Sequence, residues 1–196
     1  MNPLTHPTAQ AKQKRFAMDM VRRRITAGLP ALGVLALAAR HGLSMAQTPA
    51  ATEAVAPQLP VVGTALLLPE VRLLDGSVFM PAQAQGKITL IYWWASTCPF
   101  CALQSPEMQK LWLAHKDRGL QMLALSVDRK PQEALAYLHK KGYTFPSGWV
   151  TPEIHRMLPK PRGLPITLVR GRDGKVLQAE RGQMFAEDVE QLSRWL

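Results

Sequence analysis

The chain has only two cysteines among its 196 residues, and two residues separate them, in the segment Cys98-Pro99-Phe100-Cys101. Residues 90–95 form an uninterrupted apolar run before this segment, and apolar side chains recur at helical spacing after it. The pattern predicts a buried strand, a short turn and a helix that begins at the cysteines. At the first turn of a helix two such cysteines face each other, and the positive end of the helix dipole favours a thiolate. The sequence therefore predicts a reactive dithiol.

A structural disulfide is the alternative for a lone pair of cysteines in an oxidising compartment. Structural disulfides usually join distant segments, because closing a long loop restrains the unfolded chain more than closing a short one. A ring over two intervening residues restrains the unfolded chain very little. The spacing alone therefore favours redox chemistry over a structural role.

Residues 1–46 have the three-part order of an export signal. A polar start containing Arg22-Arg23-Arg24 is followed by an apolar stretch at 26–39, and small residues precede a predicted cleavage site after Ala46. The arginine run and the weakly apolar core resemble a twin-arginine signal, with general secretory export as the alternative. We therefore expect the mature protein in the periplasm.

An uncleaved inner-membrane anchor is the alternative fate of this segment. Fourteen apolar residues reach about 21 Å as a helix, which is short of the roughly 30 Å hydrocarbon core. Arg40 and His41 prevent a simple extension of the stretch. Of the net charge of +10, the first 46 residues hold +6, from seven Lys/Arg and one Asp. The basic excess therefore belongs largely to the leader and predicts no nucleic-acid partner.

The remaining chain divides into a flexible spacer and one domain. Residues 47–63 are rich in Ala, Pro and Thr and nearly uncharged, and residues 64–196 contain the patterned elements. The predicted elements are a hairpin at 71–80, strands at 87–94 and 120–127, helices at 99–116 and 131–141, an extended piece at 144–150, a short helix at 152–158, a strand at 166–169 with its hairpin partner at 176–179, and a last helix at 185–196. Strand–helix–strand units require parallel neighbours, so a mixed sheet with helices on both faces follows.

Four motifs resemble one family. They are residues 93–101, Pro106 in the following helix, the segment Gly163-Leu164-Pro165-Ile166-Thr167, and the turn at 173–175. Together they resemble the thioredoxin-like TlpA/ResA family of exported thiol–disulfide oxidoreductases, over about 69–196. The resemblance implies an α/β thioredoxin-like fold, a mixed central sheet flanked by helices, with an N-terminal β-hairpin extension.

The resemblance also implies roles for the site residues. Cys98 would be the nucleophile, Cys101 the resolving cysteine, and the two would form the redox disulfide. Pro165 would be a cis-proline facing that disulfide, and the Leu164 backbone would pair with an extended substrate segment.

Three further residues are predicted beside the dithiol. Trp94 matches the family's tryptophan next to the site, and Pro99 suits the first helical position. Phe100 adds no charge between the cysteines. Either it desolvates the site or contacts an apolar partner, or it is a partly exposed residue at the helix start without such a role. No metal site and no cofactor are predicted, because the histidines are scattered along the chain.

The chain departs from the family where a buried acid is usual. Tyr92 stands at the position of the acid of thioredoxins, and Gln104 at the position of the Glu of TlpA/ResA proteins. Such a carboxylate accepts the proton of the buried cysteine. The sequence therefore leaves open which group accepts the proton of Cys101. It is either water or another group, and Glu107 is the nearest acid in the sequence. Thr97 stands where the family usually has a tryptophan, which removes an exposed aromatic contact.

The sequence thus predicts an exported thiol–disulfide oxidoreductase that works mainly as a reductant. The resemblance implies that its substrates are oxidised envelope proteins such as apocytochrome c and that a membrane thiol reductase recharges it. The alternatives are a disulfide oxidase or isomerase of the same fold, favoured by the Pro99-Phe100 pair, and a non-catalytic module that binds a metal or a thiol. The reduction potential separates the first two hypotheses.

Overall fold

The structure is a computed structural model that describes residues 56–196. The predicted export signal at 1–46 and most of the predicted spacer lie outside the described residues, so the division of the chain stays a prediction. Within 56–196 no helix is long and apolar enough to cross a membrane.

Seven strands and four α-helices make up the described part of the chain. The strands are β1 Val71–Arg72, β2 Val78–Phe79, β3 Thr89–Trp94, β4 Gln121–Ser126, β5 Ser147–Trp149, β6 Ile166–Arg170 and β7 Val176–Arg181. The helices are α1 Pro99–His115, α2 Pro131–Lys141, α3 Pro152–Met157 and α4 Ala186–Glu190, with 3₁₀ turns at Pro81–Ala84, Lys116–Arg118 and Gln191–Trp195. The predicted elements agree with this order.

The five longer strands form one mixed sheet in the order β5-β4-β3-β6-β7. β3, β4 and β5 run parallel, because α1 and α2 return the chain to the same end of the sheet between them. β6 pairs antiparallel with β3, and β7 pairs antiparallel with β6. β1 and β2 form the predicted N-terminal hairpin around Asp75 and Gly76. The predicted mixed sheet flanked by helices is confirmed.

All six residues of β3 are buried, so both faces of the sheet are covered at its centre. One face packs Leu90, Tyr92 and Trp94 against α1, α2 and α4. The other face packs Ile91 and Trp93 against the hairpin and α3. Alternate residues of one strand therefore belong to two separate cores.

The last helix is shorter than predicted. α4 ends at Glu190, and the chain continues as a 3₁₀ turn to Trp195. The Arg194 guanidinium and the Trp195 indole N–H both donate to the Gln178 side-chain oxygen, at 2.9 and 3.0 Å. The 3₁₀ turn is tighter than an α-helix, and it brings both donors within reach of one acceptor. The two hydrogen bonds therefore hold residues 194–195 on β7.

The end of the predicted spacer contacts the domain. The Arg162 N–H donates to the Pro57 carbonyl oxygen at 2.9 Å, and the Gly63 N–H donates to the Val176 carbonyl oxygen at 2.8 Å. Gln58 accepts a hydrogen bond from the Arg181 guanidinium at 3.2 Å. Residues 57–63 therefore lie along β7 and the loop that precedes β6.

Gly148 marks a close approach between β5 and the hairpin. It forms an isolated bridge with Leu73, and a Cβ at this position would overlap the Val71 side chain. We therefore expect Gly148→Ala to lower the free energy of unfolding by about 1–3 kcal/mol, measured by urea denaturation. Combining Gly148→Ala with Val71→Ala should cost less than the sum of the two single changes. Strict additivity would contradict the proposed overlap.

Candidate active site

The two cysteines occupy the start of α1. Cys98 is the N-cap, and its Sγ accepts a hydrogen bond from the Cys101 backbone N–H at 3.2 Å. Pro99 takes the first helical position, where its missing N–H leaves no donor unpaired. The Cys98 N–H donates to the Ala95 carbonyl oxygen at 3.2 Å, which closes the turn after β3. The predicted strand, turn and helix thus bring both sulfurs together.

The two thiols, which are not joined in this structure, differ in exposure. Cys98 is partly exposed, whereas Cys101 is only 1% exposed. Burial raises the pKa of the Cys101 thiol far above its ordinary value, and its hydrogen bond with Cys98 acts in the same direction. A thiolate therefore forms with difficulty on Cys101, while Cys98 can be reached from solvent. This asymmetry suits the predicted nucleophile and resolving roles, which remain predictions.

Pro165 lies at the same edge of the sheet as the cysteines. The Leu164–Pro165 peptide is cis, as the resemblance implies. Ile166 pairs with Trp93, so the antiparallel β6 begins where β3 ends. The Pro165 carbonyl oxygen accepts a hydrogen bond from the Gly182 N–H at 2.9 Å, and Leu164 is partly buried. The segment before β6 therefore borders the turn before Cys98.

The remaining predicted site residues divide between surface and core. Pro99 and Thr97 are exposed, and Phe100 is 56% exposed, so both residues between the cysteines are open to a partner. Trp94 is completely buried and lies in the same core cluster as Cys101. Its ring therefore lies in the protein interior, where it packs against Tyr137 and Phe145.

Gln104 links three segments around the dithiol. It is fully buried, and its Nε2 donates to the Thr167 Oγ1 at 2.9 Å while its Oε1 accepts from the Met184 N–H at 2.9 Å. The side chain thus joins α1 to β6 and to the loop before α4. An amide in this position cannot accept the proton of Cys101. Glu107 instead binds Lys110 at 2.9 Å on the surface of α1.

The Tyr92 hydroxyl also borders the buried cysteine. It donates to the Cys101 carbonyl oxygen at 3.5 Å and shares a hydrogen bond with the Ser105 hydroxyl at 3.0 Å. Burial raises the pKa of Tyr92 well above its ordinary value, so the hydroxyl stays protonated. Neither Tyr92 nor Gln104 is therefore a base at neutral pH.

Asp128 is a site residue that the sequence reasoning missed. Its Oδ1 accepts from the Ser96 backbone N–H at 2.9 Å and from the Ser96 hydroxyl at 2.8 Å, and its Oδ2 accepts from the Ser126 hydroxyl at 2.7 Å. Because Trp94 pairs with Ser126 in the parallel sheet, Ser96 and Asp128 each follow two residues later. The sequence signal for this contact was that a serine and an aspartate stand at the same distance after two strands predicted to be parallel neighbours. The carboxylate holds the turn that precedes the cysteines.

No cluster of three or more His, Cys, Asp or Glu side chains that could bind a metal occurs in the part of the chain from 56 to 196. The expectation that the site needs neither a metal nor another cofactor stays a prediction.

A dithiol at a helix start, a cis-proline beside it and a five-stranded mixed sheet define the thioredoxin-like class of redox proteins. The AhpC/TSA family model matches residues 65–178. The chain belongs to this family.

Individual relatives agree with this class. The thiol-disulfide oxidoreductase ResA of Halalkalibacterium halodurans is 23% identical over 122 residues, which are 60% of this chain and 67% of the relative. A thioredoxin family thiol:disulfide interchange protein from Chlorobium tepidum superposes with a TM-score of 0.61 at 21% identity, over 68% of this chain and 97% of its own. A secreted Mycobacterium tuberculosis disulfide oxidoreductase, homologous to E. coli DsbE, has a TM-score of 0.55 at 19% identity, over 65% and 93%.

These relatives and the Cys98–Cys101 pair confirm the predicted resemblance to ResA-type thiol–disulfide oxidoreductases, the predicted fold class and the predicted enzyme class. The protein is a thioredoxin-fold thiol–disulfide oxidoreductase. The roles of the individual site residues remain predictions.

We expect Gln104→Glu to change the pH dependence of the resolving step. A carboxylate keeps the hydrogen bond from the Met184 N–H. Its second oxygen can accept from the Thr167 hydroxyl once that hydroxyl turns to donate, whereas the Gln104 amide now donates to it. It also adds a base one helical turn from Cys101, which should speed resolution at pH 7 by about a hundredfold. The measurement is the rate–pH profile of the second phase of reaction with an aromatic disulfide. Glu107→Gln is the matched control and should not change the profile.

Identical profiles for the wild type and Gln104→Glu would remove position 104 from the question of proton transfer.

The reduced protein should lose stability in alkali through Cys101. Burial raises the pKa of this thiol above its unfolded value, so the folded protein keeps a proton that the unfolded chain releases. The stabilisation is complete below an unfolded pKa of about 8.5, and above it the free energy of unfolding should fall by about 1.4 kcal/mol per pH unit. Urea denaturation between pH 7 and 10 measures this slope.

Cys101→Ser should remove this decline, whereas Cys98→Ser should retain it. Parallel curves for the wild type and Cys101→Ser would contradict the assignment of the raised pKa to Cys101.

Proposed function

We propose that this protein reduces disulfides of other exported proteins in the periplasm, with Cys98 as the nucleophile and Cys101 as the resolving cysteine. The observation that supports these roles is the unequal burial of two neighbouring thiols. One sulfur is accessible and receives a backbone hydrogen bond, while the other is enclosed and keeps its proton.

The reaction has two exchange steps. The Cys98 thiolate attacks one sulfur of the partner's disulfide, the partner's S–S bond breaks, and its second sulfur leaves as a thiolate. Cys101 then releases its proton to water, and its thiolate attacks Cys98 Sγ. The mixed disulfide breaks, and the partner leaves with both sulfurs reduced. Two electrons pass to the partner, and the Cys98–Cys101 pair becomes a disulfide.

The surroundings of Cys98 favour the reducing direction. A strong oxidant needs a strongly stabilised reduced form. Here Phe100 contributes no charge, and the hydrogen bond that Cys98 Sγ receives within the site comes from the uncharged backbone of Cys101. We therefore propose a reductant rather than an oxidase or isomerase. A membrane thiol reductase would return the two electrons.

The proposed periplasmic location and substrates rest on the export signal predicted at 1–46 and on the secreted relative from Mycobacterium tuberculosis. A thiol-disulfide exchange partner must expose its disulfide to Cys98 in that compartment. Apocytochrome c with its heme-binding cysteines oxidised is the substrate we propose to test first.

Trapping tests the proposed function directly. Cys101→Ser should retain its substrates as mixed disulfides through Cys98, because the resolving thiol is absent. These should be recovered from periplasmic extracts and identified by mass spectrometry after reduction. Cys98→Ala is the matched control and should retain none. A Cys101→Ser variant that captures no protein would contradict a protein substrate.

The reduction potential of the wild-type pair should lie nearer to that of thioredoxin, about −270 mV, than to that of the strong oxidant DsbA, about −120 mV. A value at the oxidising end would contradict the proposed direction and favour a disulfide oxidase.

A further inference from the structure

The carboxylate of Asp128 is buried without a cationic partner. Asp128 is only 7% exposed, and none of the ion pairs in the part of the chain from 56 to 196 includes it. Its oxygens accept instead from three neutral donors, which are the Ser96 N–H at 2.9 Å, the Ser96 hydroxyl at 2.8 Å and the Ser126 hydroxyl at 2.7 Å. Removing a carboxylate from water costs free energy, which hydrogen bonds must offset. Two of the three donors belong to one residue, Ser96.

Asp128 is itself fixed to the ends of two neighbouring strands. Its backbone N–H donates to the Ser126 hydroxyl at 3.1 Å, and its carbonyl oxygen accepts from the Trp149 indole N–H at 2.7 Å. Ser126 is the last residue of β4, and Trp149 is the last residue of β5. The Val127 N–H also donates to the Trp94 carbonyl oxygen at 3.0 Å, which joins the end of β4 to the end of β3. The carboxylate is therefore held by the sheet from both sides.

The turn that this carboxylate holds carries the exposed thiol. Ser96 lies between β3 and α1, two residues before Cys98. The Cys98 N–H donates to the Ala95 carbonyl oxygen at 3.2 Å, and Cys98 Sγ accepts from the Cys101 N–H at 3.2 Å. An unbroken series of hydrogen bonds and short chain segments thus runs from the sheet through Asp128 to Cys98 Sγ. That sulfur already lies over the Cys101 backbone while both cysteines are thiols.

We propose that Asp128 is a positioning residue that favours closure of the Cys98–Cys101 disulfide and thereby lowers the reduction potential of the pair. The inference rests on the proposed thiol–disulfide exchange and names a group that sets its direction. Ring closure restricts the turn that bears Cys98, which costs conformational entropy. A turn already held through Ser96 loses less of it, so closure is both more favourable and faster.

Asp128 takes no part in the exchange of bonds. Cys101 releases its proton to water, its thiolate attacks Cys98 Sγ, and the new S–S bond forms as the bond to the partner's sulfur breaks. The partner's sulfur leaves as a thiolate. The carboxylate gives and accepts no proton in this step, and it acts only through the position of the turn.

Two other roles of the carboxylate predict different results. If its charge acted directly on the sulfurs, a neutral side chain of the same shape would change the reduction potential. If it only stabilised the fold, the dithiol and disulfide forms would lose the same stability, and the potential would not change. The potential therefore separates positioning from both alternatives.

Three variants divide the contacts of Asp128. Asp128→Ala removes all three hydrogen bonds of the side chain. Asp128→Asn keeps an amide oxygen for both Ser96 donors, and its amide N–H can donate to the Ser126 hydroxyl. Ser96→Ala removes the hydroxyl bond at the turn and leaves the bond from the backbone N–H.

Gln109 provides a matched control. Its side-chain oxygen accepts from the N–H groups of Thr144 and Phe145 at 2.8 and 3.2 Å, and its Nε2 donates to the Thr144 hydroxyl at 2.8 Å. Gln109→Ala thus also removes three hydrogen bonds between distant segments. The position is on α1 about two turns after Cys101, so the turn before Cys98 keeps its contacts.

The test equilibrates the full-length protein with reduced and oxidised glutathione and measures the disulfide fraction after alkylation of free thiols. Asp128→Ala should lower the equilibrium constant for disulfide formation about tenfold, which raises the reduction potential by about 30 mV. Ser96→Ala should lower the constant about threefold, because one of the two bonds to the turn remains. Asp128→Asn should change it by less than about twofold, and Gln109→Ala should leave it unchanged.

The rate of ring closure is a second measurement. In stopped-flow reaction with 5,5′-dithiobis(2-nitrobenzoate), attack by Cys98 releases one coloured thiolate and attack by Cys101 releases a second. The second phase should slow about tenfold in Asp128→Ala and keep its wild-type rate in Asp128→Asn. The first phase should change less than the second, because attack on a free disulfide does not require Cys98 to face Cys101.

A wild-type equilibrium constant in Asp128→Ala would overturn the proposal. An equal shift in Gln109→Ala would also overturn it by indicating general loosening, and an equal shift in Asp128→Asn would assign the effect to charge. If Asp128→Ala does not fold, Ser96→Ala decides alone, and an unchanged constant there overturns the proposal. A wild type that forms no Cys98–Cys101 disulfide would overturn the proposed function as well, whereas a normal wild-type potential with no shift in Asp128→Ala would overturn only the positioning role.

Discussion

The position of β3 between two partners of opposite direction is the constraint on which the site depends. β4 lies parallel to it and β6 antiparallel to it. The C-terminal ends of β3 and β4 and the N-terminal end of β6 therefore meet at one edge of the sheet. Cys98, Asp128 and Pro165 follow or precede these strand ends. The complete burial of β3 fixes this register, because a shift by one residue would exchange its two core faces.

Neutral side chains occupy positions 92 and 104, where the family usually has a buried acid, while the Asp128 carboxylate holds the turn before Cys98. Gln104 joins α1 to β6 through Thr167 and to the loop before α4 through Met184, and Tyr92 shares its hydroxyl with Ser105. These bonds position the helix that begins at Cys98 without adding a charge beneath it. The high pKa of Cys101 is a consequence, because burial is not offset by a charged partner.

Local patterns in the sequence predicted most of the elements correctly. Continuous apolar runs predicted β3 and β4, and prolines at helix starts with Gly142 after α2 predicted the helix limits. The dithiol was equally predictable, because both cysteines lie in one turn. The last helix was predicted too long, because contacts with Gln178 on a distant strand decide how the chain end winds.

The sequence by itself determined the class of the protein, because four residues in a row place two sulfurs at one helix start and the order of strands and helices follows from local periodicity. Only the tertiary structure decided which groups surround those sulfurs. Asp128 lies thirty positions after Cys98 in the printed chain, and it reaches the turn before the cysteines through the pairing of β3 with β4. No local pattern encodes such contacts, because they arise only when distant segments share one edge of a sheet.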